Sequence, residues 1–164
     1  MPLALRQLSA ADAQAFRELR LLGLREAPTA FGGAHADEER RTVEDFAGSI
    51  AKGYIAGGFI EDRLVGVAGF YVMAGQKSAH RGGIWGVYVH PEARRRGVGR
   101  AVLETAIAHA RTRVLQVHLS VTTGSAALRL YQQLGFEIYG TEPRALCVDG
   151  RYLDEHLMVL RLDA

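Results

Sequence analysis

The most constraining feature of the chain is the segment Val87–Arg100, in which a β-type run ends at a proline and a glycine-containing turn follows at once. Pro91 lacks the backbone N–H that a central strand needs, so we expect the strand to end before it. Gly97 and Gly99 lead into Val98–Arg111, whose apolar residues recur at helical spacing. The segment therefore predicts a strand, a tight glycine turn and a helix in direct succession.

A turn of this kind is suited to an anion. Glycine lets the backbone approach a bulky group closely, and the N–H groups of a first helical turn have no intrahelical partner. Guanidinium groups add charge and forked donors. The segment carries four of them, on Arg94, Arg95, Arg96 and Arg100. A solvated basic surface is the plainer interpretation of such a run.

Two common nucleotide-binding patterns do not fit this segment. The Walker pattern requires Gly-Lys-Ser/Thr, and Gly99-Arg100-Ala101 lacks both functional residues. The dinucleotide pattern requires a third glycine, where the chain has Val102, and a later acidic residue that Val117–Val121 does not supply. An unassigned phosphate site and a turn without a ligand both stay open on these residues alone.

The rest of the chain alternates between strand-like and helical periods. Seven strands are predicted, at 3–8, 54–60, 64–73, 84–89, 115–121, 136–139 and 152–162. Four helices are predicted, from the cap Ser9 to a point before Pro28, from Thr42 to about Lys52, at 98–111 and at 125–134. Loops are predicted at 27–38, 75–83 and 143–150. The order predicts an α/β (α+β) fold with a mixed, mostly antiparallel six- to seven-stranded sheet, about four flanking helices and a parallel crossover at 84–121.

Composition narrows the class of protein. The 164 residues, nearly half of them apolar, predict one globular domain over 1–164. A net charge of +2 does not favour nucleic-acid binding, and no apolar run has the length of a membrane span. Cys147 is the single cysteine, which excludes an intrachain disulfide and fits a cytoplasmic location. No His/Cys/Asp cluster has metal-ligand spacing, so no metal site is expected.

Two motifs together resemble the GNAT superfamily of N-acetyltransferases. Arg94-x-x-Gly97-x-Gly99, after a Val-x-Val-x-Pro strand end, resembles that family's coenzyme A-binding motif. The run Ala126–Phe136, a helix with Tyr131 that ends at Gly135-Phe136, resembles its next motif. By element order the resemblance covers roughly residues 54–162. It implies a GNAT-like fold and acetyl-coenzyme A as the acyl donor.

The resemblance also implies roles for residues on the donor side. The backbone of Val87-Tyr88-Val89 would bind the pantetheine arm through Val87 and Val89. The amides from Arg95 to Arg100 would hold the pyrophosphate. Besides the four arginines, that stretch contains Gly97, Val98 and Gly99. Tyr131 would act as the general acid towards the departing thiolate. Where the family commonly has Asn this chain has Gly124, so Ser125 is expected to cap the helix and to lie at the cofactor.

The acceptor side is less defined. Phe31 could line the acceptor pocket or equally anchor its loop, and His80 and Trp85 are further candidate contacts, although a strand Trp is more often core. The general base is open. Glu26 is the first choice because it precedes the loop expected to border the pocket. Other residues of suitable type are His80, His118, Glu142 and His156.

Three functions remain in order of preference. The first is acetyl transfer to a primary amine of a small molecule or peptide. The second is a catalytically degenerate acyl-coenzyme A-binding sensor, which Gly124 would favour. The third, a nucleic-acid-binding basic surface, is disfavoured by the small net charge. A homodimer could form if an exposed final strand paired with a second copy.

Overall fold

Seven strands and five α-helices make up residues 2–163, which the computed structural model describes. The strands are β1 (Leu3–Gln7), β2 (Tyr54–Ile60), β3 (Arg63–Val72), β4 (Arg81–Val89), β5 (Gln116–Thr122), β6 (Glu137–Val148) and β7 (Arg151–Arg161). The helices are α1 (Ala13–Glu26), α2 (His35–Glu38), α3 (Val43–Lys52), α4 (Val98–Ala110) and α5 (Ala127–Gln133). No helix in this part of the chain is both long and apolar enough to cross a membrane.

The strands form one sheet in the order β1-β2-β3-β4-β5-β7-β6. Neighbours in the described sheet are antiparallel except β4 and β5, which are parallel and joined through α4. This confirms the predicted fold class and the parallel crossover, since a parallel pair needs a connection long enough to return the chain. The β4–β5 pairing ends after Gly83 and His118, and this early end positions the site.

Apolar side chains cover both faces of the sheet. Val67 and Ala68 are consecutive on β3 and belong to different buried clusters, because successive strand residues point to opposite faces. One cluster packs against α4, where Leu103 is fully buried, and the other packs under α1 and α3 around Phe46. β3 is therefore buried on both sides, which explains its nearly continuous apolar run.

The predicted helix starts at Ser9 and Thr42 are confirmed. At α3 the amide of Thr42 donates to the Asp45 carboxylate at 2.9 Å, and the amide of Asp45 donates to the Thr42 hydroxyl at 3.1 Å. At the first start, the Ser9 amide donates to the Asp12 carboxylate at 2.7 Å, and a short 3-10 turn then leads into α1. Both ends use the reciprocal pattern that satisfies backbone donors without a helical partner.

The predicted loop at 75–83 is too long, because β4 begins at Arg81. Gly82 and Gly83 are strand residues whose missing side chains leave room for aromatic rings. A Cβ on Gly82 would meet the ring of Phe70, and one on Gly83 would meet the ring of Tyr71. From the sequence pattern such glycines are predicted to lie in a loop. In the structure they are strand residues that let the aromatic rings of β3 pack closely on β4.

The predicted loop at Pro143–Gly150 is wrong. β6 runs through to Val148, and the connection to β7 is the two-residue turn Asp149-Gly150, with φ of 50° and 75°. An Asp-Gly pair with both φ positive is a tight hairpin signal. Pro143 is accommodated in an irregular part of the β6–β7 pairing, on a strand at the edge of the sheet.

Three further expectations need correction. The predicted loop at 27–38 contains the short helix α2, which brings the number of α-helices to five. α5 is shorter than the predicted helix at 125–134. The final strand β7 lies between β5 and β6, so the edge strands of the sheet are β1 and β6, and the prediction of an exposed final strand was wrong.

We expect Leu103→Ala to lower the free energy of unfolding by about 2–5 kcal/mol, because it leaves a cavity under α4. Leu103 is 0% exposed, whereas Leu115 is 52% exposed. The matched change Leu115→Ala should therefore cost at most about 0.5 kcal/mol. Urea unfolding followed by circular dichroism measures both. Equal losses of unfolding free energy in the two variants would contradict the burial of Leu103 between α4 and the sheet.

Candidate functional site

β4 and β5 separate in the middle of the sheet. Their pairing covers three positions, from Arg81 with Gln116 to Gly83 with His118, and then stops. Beyond it the pairing of β4 with β3 shifts register, and Gly86 has φ of 65°, as in a β-bulge. The β5-facing edge of Val87–Val89 is therefore left without a strand partner. An open edge of this kind can pair with an extended, amide-containing ligand.

The turn that follows β4 has the form of an anion cradle. Arg95 and Gly97 have φ of 66° and 74°, the left-handed conformation that favours glycine. Gly97 precedes α4, whose first amides have no intrahelical partners and lie at the positive end of the helix dipole. A Cβ on Gly97 would meet no atom within 4 Å, so the space in front of the turn is open. These features fit a pyrophosphate group of coenzyme A.

The four arginines of this segment differ in their partners. Arg94 forms a bidentate pair with Glu26 at 3.1 and 3.0 Å, which ties the segment to the end of α1. Arg100 donates to Gln133 at 2.8 Å and pairs with Glu104 at 3.5 Å. Arg95 and Arg96 are exposed and join none of the ion pairs found within residues 2–163. They are the arginines most available to an anion in the cradle.

Tyr131 is the buried residue of α5, with 8% of its surface exposed. Its ring packs edge-on against Phe136 at 5.9 Å, and burial raises the pKa of its hydroxyl to about 12. The phenol is therefore protonated at neutral pH. The leucines of this helix, Leu128, Leu130 and Leu134, are only partly buried. Leu130 instead lies 3.8 Å from the position of a Cβ on Gly99.

The α5 start explains the glycine that departs from the family pattern. Gly124 has φ of 81°, a conformation that Asn tolerates better than most residues. Ser125 bonds the first turn of α5, because its hydroxyl accepts from the Ala127 amide at 3.2 Å. The helix begins one residue later than expected, with Ala126 at the N-cap, so Ser125 contacts the first turn without occupying the cap position. A cofactor contact by the same side chain stays a prediction.

A cavity of about 520 Å³ opens where β4 and β5 part. Its walls come from α1, the loop after it and strands β3 to β7. The residues are Arg20, Ala30, Phe31, Gly32, Gly33, Tyr71, Met73, Arg81, Ile84, Trp85, Gly86, His118, Leu119, Ser120, Tyr139 and Glu155. Its position beside Gly86 places it next to the open strand edge.

Two of the three predicted acceptor contacts line this cavity. Phe31 is 7% exposed and packs on Tyr88 at 5.8 Å, so it both lines the cavity and anchors its loop. Trp85 is partly buried and packs edge-on against Phe16 at 6.3 Å. His80 is exposed and is not among the lining residues, so the structure does not support it as a contact. His80 is the last residue of the loop before β4, and its backbone carbonyl accepts a hydrogen bond from the Leu115 amide.

The charged groups of the cavity were largely missed from sequence. Arg20 is neutralised by Glu38 at 2.9 and 2.8 Å, whereas Arg81 donates to the Ser78 hydroxyl at 3.2 Å and joins none of the described ion pairs. On the opposite side lies Glu155. Neither Arg81 nor Glu155 belongs to a local motif, because long-range pairing of β4, β5 and β7 brings them to one cavity. No cluster of three potential metal ligands occurs among residues 2–163.

Glu26 is engaged on both carboxylate oxygens. Besides Arg94, it accepts from the Tyr88 hydroxyl at 2.9 Å. Arg94, with a smaller contribution from Tyr88, holds the pKa of Glu26 below its usual value. Burial first, and then Glu26, raise the pKa of Tyr88 to about 12. Glu26 therefore joins α1 to the cradle, and these bonds make it a weak proton acceptor.

We expect Glu26→Gln to lower the free energy of unfolding by about 0.2–1 kcal/mol at pH 7, because it removes a partly exposed ion pair. A carboxyl group with a lowered native pKa stabilises above its unfolded-state pKa. The difference should therefore shrink as pH falls below 4.5, the ordinary value for Glu. Urea unfolding at several pH values measures it. Glu104→Gln serves as the surface control, with a loss of at most about 0.5 kcal/mol, and a pH-independent difference for Glu26→Gln would contradict the ion-pair explanation.

Comparison with known sequences agrees with this geometry. Residues 20–136 match the model of the acetyltransferase (GNAT) family. Over 79 residues the chain is 39% identical to an L-methionine sulfoximine/L-methionine sulfone acetyltransferase of Pseudomonas aeruginosa. Over 79 residues it is 37% identical to the L-amino acid N-acyltransferase MnaT of Escherichia coli. Each match covers 47% of this chain, and the chain spans about half of each relative's length, 46%.

Solved structures match over nearly the whole chain. YncA of Salmonella typhimurium, solved with its cofactor acetyl-CoA, has a TM-score of 0.84 at 23% sequence identity. The match covers 100% of this chain and 96% of the YncA chain. A phosphinothricin acetyltransferase of Sinorhizobium meliloti, in complex with AcCoA, has a TM-score of 0.83 at 19% identity over 98% and 89% of the two chains. These likenesses show the fold alone. Because the family model spans 20–136, the chain belongs to the GNAT acetyltransferase family.

Proposed function

We propose that this protein transfers an acetyl group from acetyl-coenzyme A to the primary amine of a small acceptor that also carries a carboxylate, such as an amino acid. One observation supports this above the others. The open strand edge of β4, the cradle at the start of α4 and the cavity of about 520 Å³ all meet where β4 and β5 part. A donor on the edge would thus reach an acceptor in the cavity.

On the donor side, each part of coenzyme A would have its own contact. The backbone of Val87 and Val89 would bind the amides of the pantetheine arm, as in strand addition. The amides at Gly97–Arg100 would bind the pyrophosphate, and Arg95 and Arg96 would add charge-assisted hydrogen bonds. The acetyl thioester supplies an activated acyl carbon to the amine.

On the acceptor side, Arg81 is the residue that favours an acceptor with a carboxylate group. Its guanidinium lines the cavity without an ion-pair partner among the described residues, whereas the other lining arginine, Arg20, is held by Glu38. A forked donor of this kind matches a carboxylate. The names of the sequence relatives point the same way, since one acts on methionine derivatives and another on L-amino acids.

Acetyl transfer then needs three events. The deprotonated amine attacks the thioester carbon, and the developing oxyanion accepts a hydrogen bond from a backbone N–H near Val87. The carbon–sulfur bond breaks, and the Tyr131 hydroxyl, protonated because of its high pKa, donates to the departing thiolate. Walls formed by Phe31 and Trp85 limit water around the reacting atoms.

An acyl-coenzyme A sensor is the second candidate. Its support from sequence was Gly124, but the left-handed φ of 81° there suits both glycine and asparagine. Calorimetry with acetyl-coenzyme A, followed by thiol detection over a panel of amines and amino acids, separates the two. Binding with thiol release supports the enzyme, binding without release on any acceptor supports the sensor, and no binding at high micromolar cofactor contradicts both.

We expect Tyr131→Phe to lower kcat by about 100-fold or more while cofactor affinity stays close to that of the wild type. The ring remains to fill its place against Phe136, and only the proton donor is lost. Steady-state thiol release and calorimetry measure the two quantities. Tyr152→Phe, at a residue that is 62% exposed, is the matched control and should behave as wild type. Unchanged kcat in Tyr131→Phe would remove this hydroxyl from the mechanism.

We expect Arg81→Gln to raise KM about 10-fold or more for acceptors with a carboxylate, because it removes a hydrogen bond to a charged group. KM for a matched amine without the carboxylate should hardly change. Lys77→Gln, on the exposed loop before β4, is the control for general loss of positive charge. An equal rise for both acceptor types would contradict carboxylate recognition by Arg81.

A further inference from the structure

We propose that the Glu155 carboxylate is the general base that accepts a proton from the acceptor ammonium group. This inference rests on the proposed acetyl transfer and adds a catalytic residue to it. Glu155 lies on β7, opposite Thr122 of β5, and lines the acceptor cavity. Sequence reasoning did not single it out, since no motif surrounds it.

Strand alternation places Glu155 on the cavity side of the sheet. Residues directly opposite on paired strands point to the same face, so Glu155 shares a face with Thr122. Two and four positions before Thr122 lie Ser120 and His118, and both line the cavity. Thr122 also donates to the carbonyl of Thr29, in the loop that forms another wall. Glu155 therefore points into the space between β7 and that loop.

Glu155 is better placed to accept a proton than the other candidates. His118 lines the cavity, but its Nε2 lies 2.8 Å from the Gln116 amide nitrogen and its Nδ1 lies 3.3 Å from the Tyr139 hydroxyl. An imidazole with both nitrogens engaged has no free lone pair. Glu26 is bonded on both oxygens and is not a lining residue. Glu155 makes none of the side-chain hydrogen bonds or ion pairs found within residues 2–163, so its oxygens are available.

A second carboxylate stands beside it. Glu142 on β6 is directly opposite Glu155, and like charges at opposed strand positions are destabilising. Burial first, and then Glu142, raise the pKa of Glu155 above its usual value. A bound ammonium group would relieve the repulsion between the two carboxylates. The pair thus favours a cationic acceptor and makes Glu155 more basic than an ordinary carboxylate.

The surroundings of Glu155 define what else can titrate there. On β6 the facing group is Glu142, with Tyr139 further along. On β5 the directly opposed residue is Thr122, and the nearest titratable group on the same face is His118. Burial, Arg81 and His80 together lower the pKa of His118, in that order of importance, so it is mostly neutral at pH 7. The remaining charged or titratable lining residues are Arg20, Arg81 and Tyr71. The loop wall at 30–33 carries none.

The complete reaction of an ammonium acceptor with acetyl-coenzyme A releases one proton. Glu155 takes one N–H proton from the acceptor ammonium and later gives it to water. The free amine forms the nitrogen–carbon bond, and the carbon–sulfur bond breaks with its electron pair on sulfur. Tyr131 donates its proton to that sulfur and regains one from the nitrogen of the adduct through solvent. The products are the N-acetyl compound, coenzyme A thiol and one proton.

The test compares Glu155→Gln with wild type over pH 4.5 to 9.5, with thiol release and acetyl-coenzyme A calorimetry as readouts. We expect kcat to fall about 100-fold or more, with unchanged cofactor affinity. In wild type, kcat/KM should fall as acid protonates Glu155. In Glu155→Gln it should instead rise continuously with pH, because only amine that arrives deprotonated can react.

Two further variants make the result decisive. Glu142→Gln removes the neighbouring charge, so the acid limb of kcat/KM should move to lower pH while catalysis persists. Glu155→Asp, which keeps a carboxylate, should retain an acid limb and covers the case in which the glutamine variant does not fold. The matched control Glu137→Gln, on the exposed start of β6, should leave rate and pH profile unchanged.

The outcomes separate the two proposals. Wild-type turnover together with kcat within threefold and an unchanged pH profile in Glu155→Gln would overturn the role of Glu155 alone. An acid limb that does not move in Glu142→Gln would overturn the tuning by Glu142. Absence of thiol release by the wild type on every acceptor would overturn the acetyl transfer itself, and the assignment of Glu155 with it.

Discussion

The site depends on one feature of the backbone, the early end of the β4–β5 pairing. After Gly83 and His118 the two strands diverge, and the unpaired donors and acceptors of β4 need another partner. Elsewhere the sheet is continuous and both faces are covered by apolar side chains. The gap is therefore stable because the rest of the sheet and α4 hold its two sides apart. A thioester arm that fills it would complete the backbone hydrogen bonding.

The two sides of the gap between β4 and β5 differ in their charged groups. The cradle carries the exposed Arg95 and Arg96 and the positive end of the α4 dipole. The cavity carries charges of both signs, with Arg81 on β4 and Glu155 on β7. Under the proposed function, an anionic donor and a zwitterionic acceptor would be attracted to separate regions that meet beside Gly86. The Glu26–Arg94 pair links them, since it joins the end of α1 to the cradle.

Prediction from sequence succeeded where the signal was local. The capping boxes and the helical period of α4 depend on residues within a few positions of one another. It failed where local signals conflicted with distant packing. Gly82 and Gly83 were predicted to lie in a loop because the rings that pack on them, Phe70 and Tyr71, are more than ten residues away in the chain. Pro143 and Gly150 suggested one long loop, whereas edge-strand pairing extends β6 through most of it.

The sequence by itself determined the glycine turn between β4 and α4. A strand end, a turn with left-handed residues and a helix start are consecutive in the chain, so their chemistry can be read from Val87 to Arg100. Only the tertiary structure decided the cavity beside this turn. Arg81, His118 and Glu155 are far apart in sequence and carry no shared motif, and the order of β4, β5 and β7 in the sheet brings them to one cavity. The physical reason is that strand pairing is long-range, and neither spacing nor periodicity encodes which strands become neighbours.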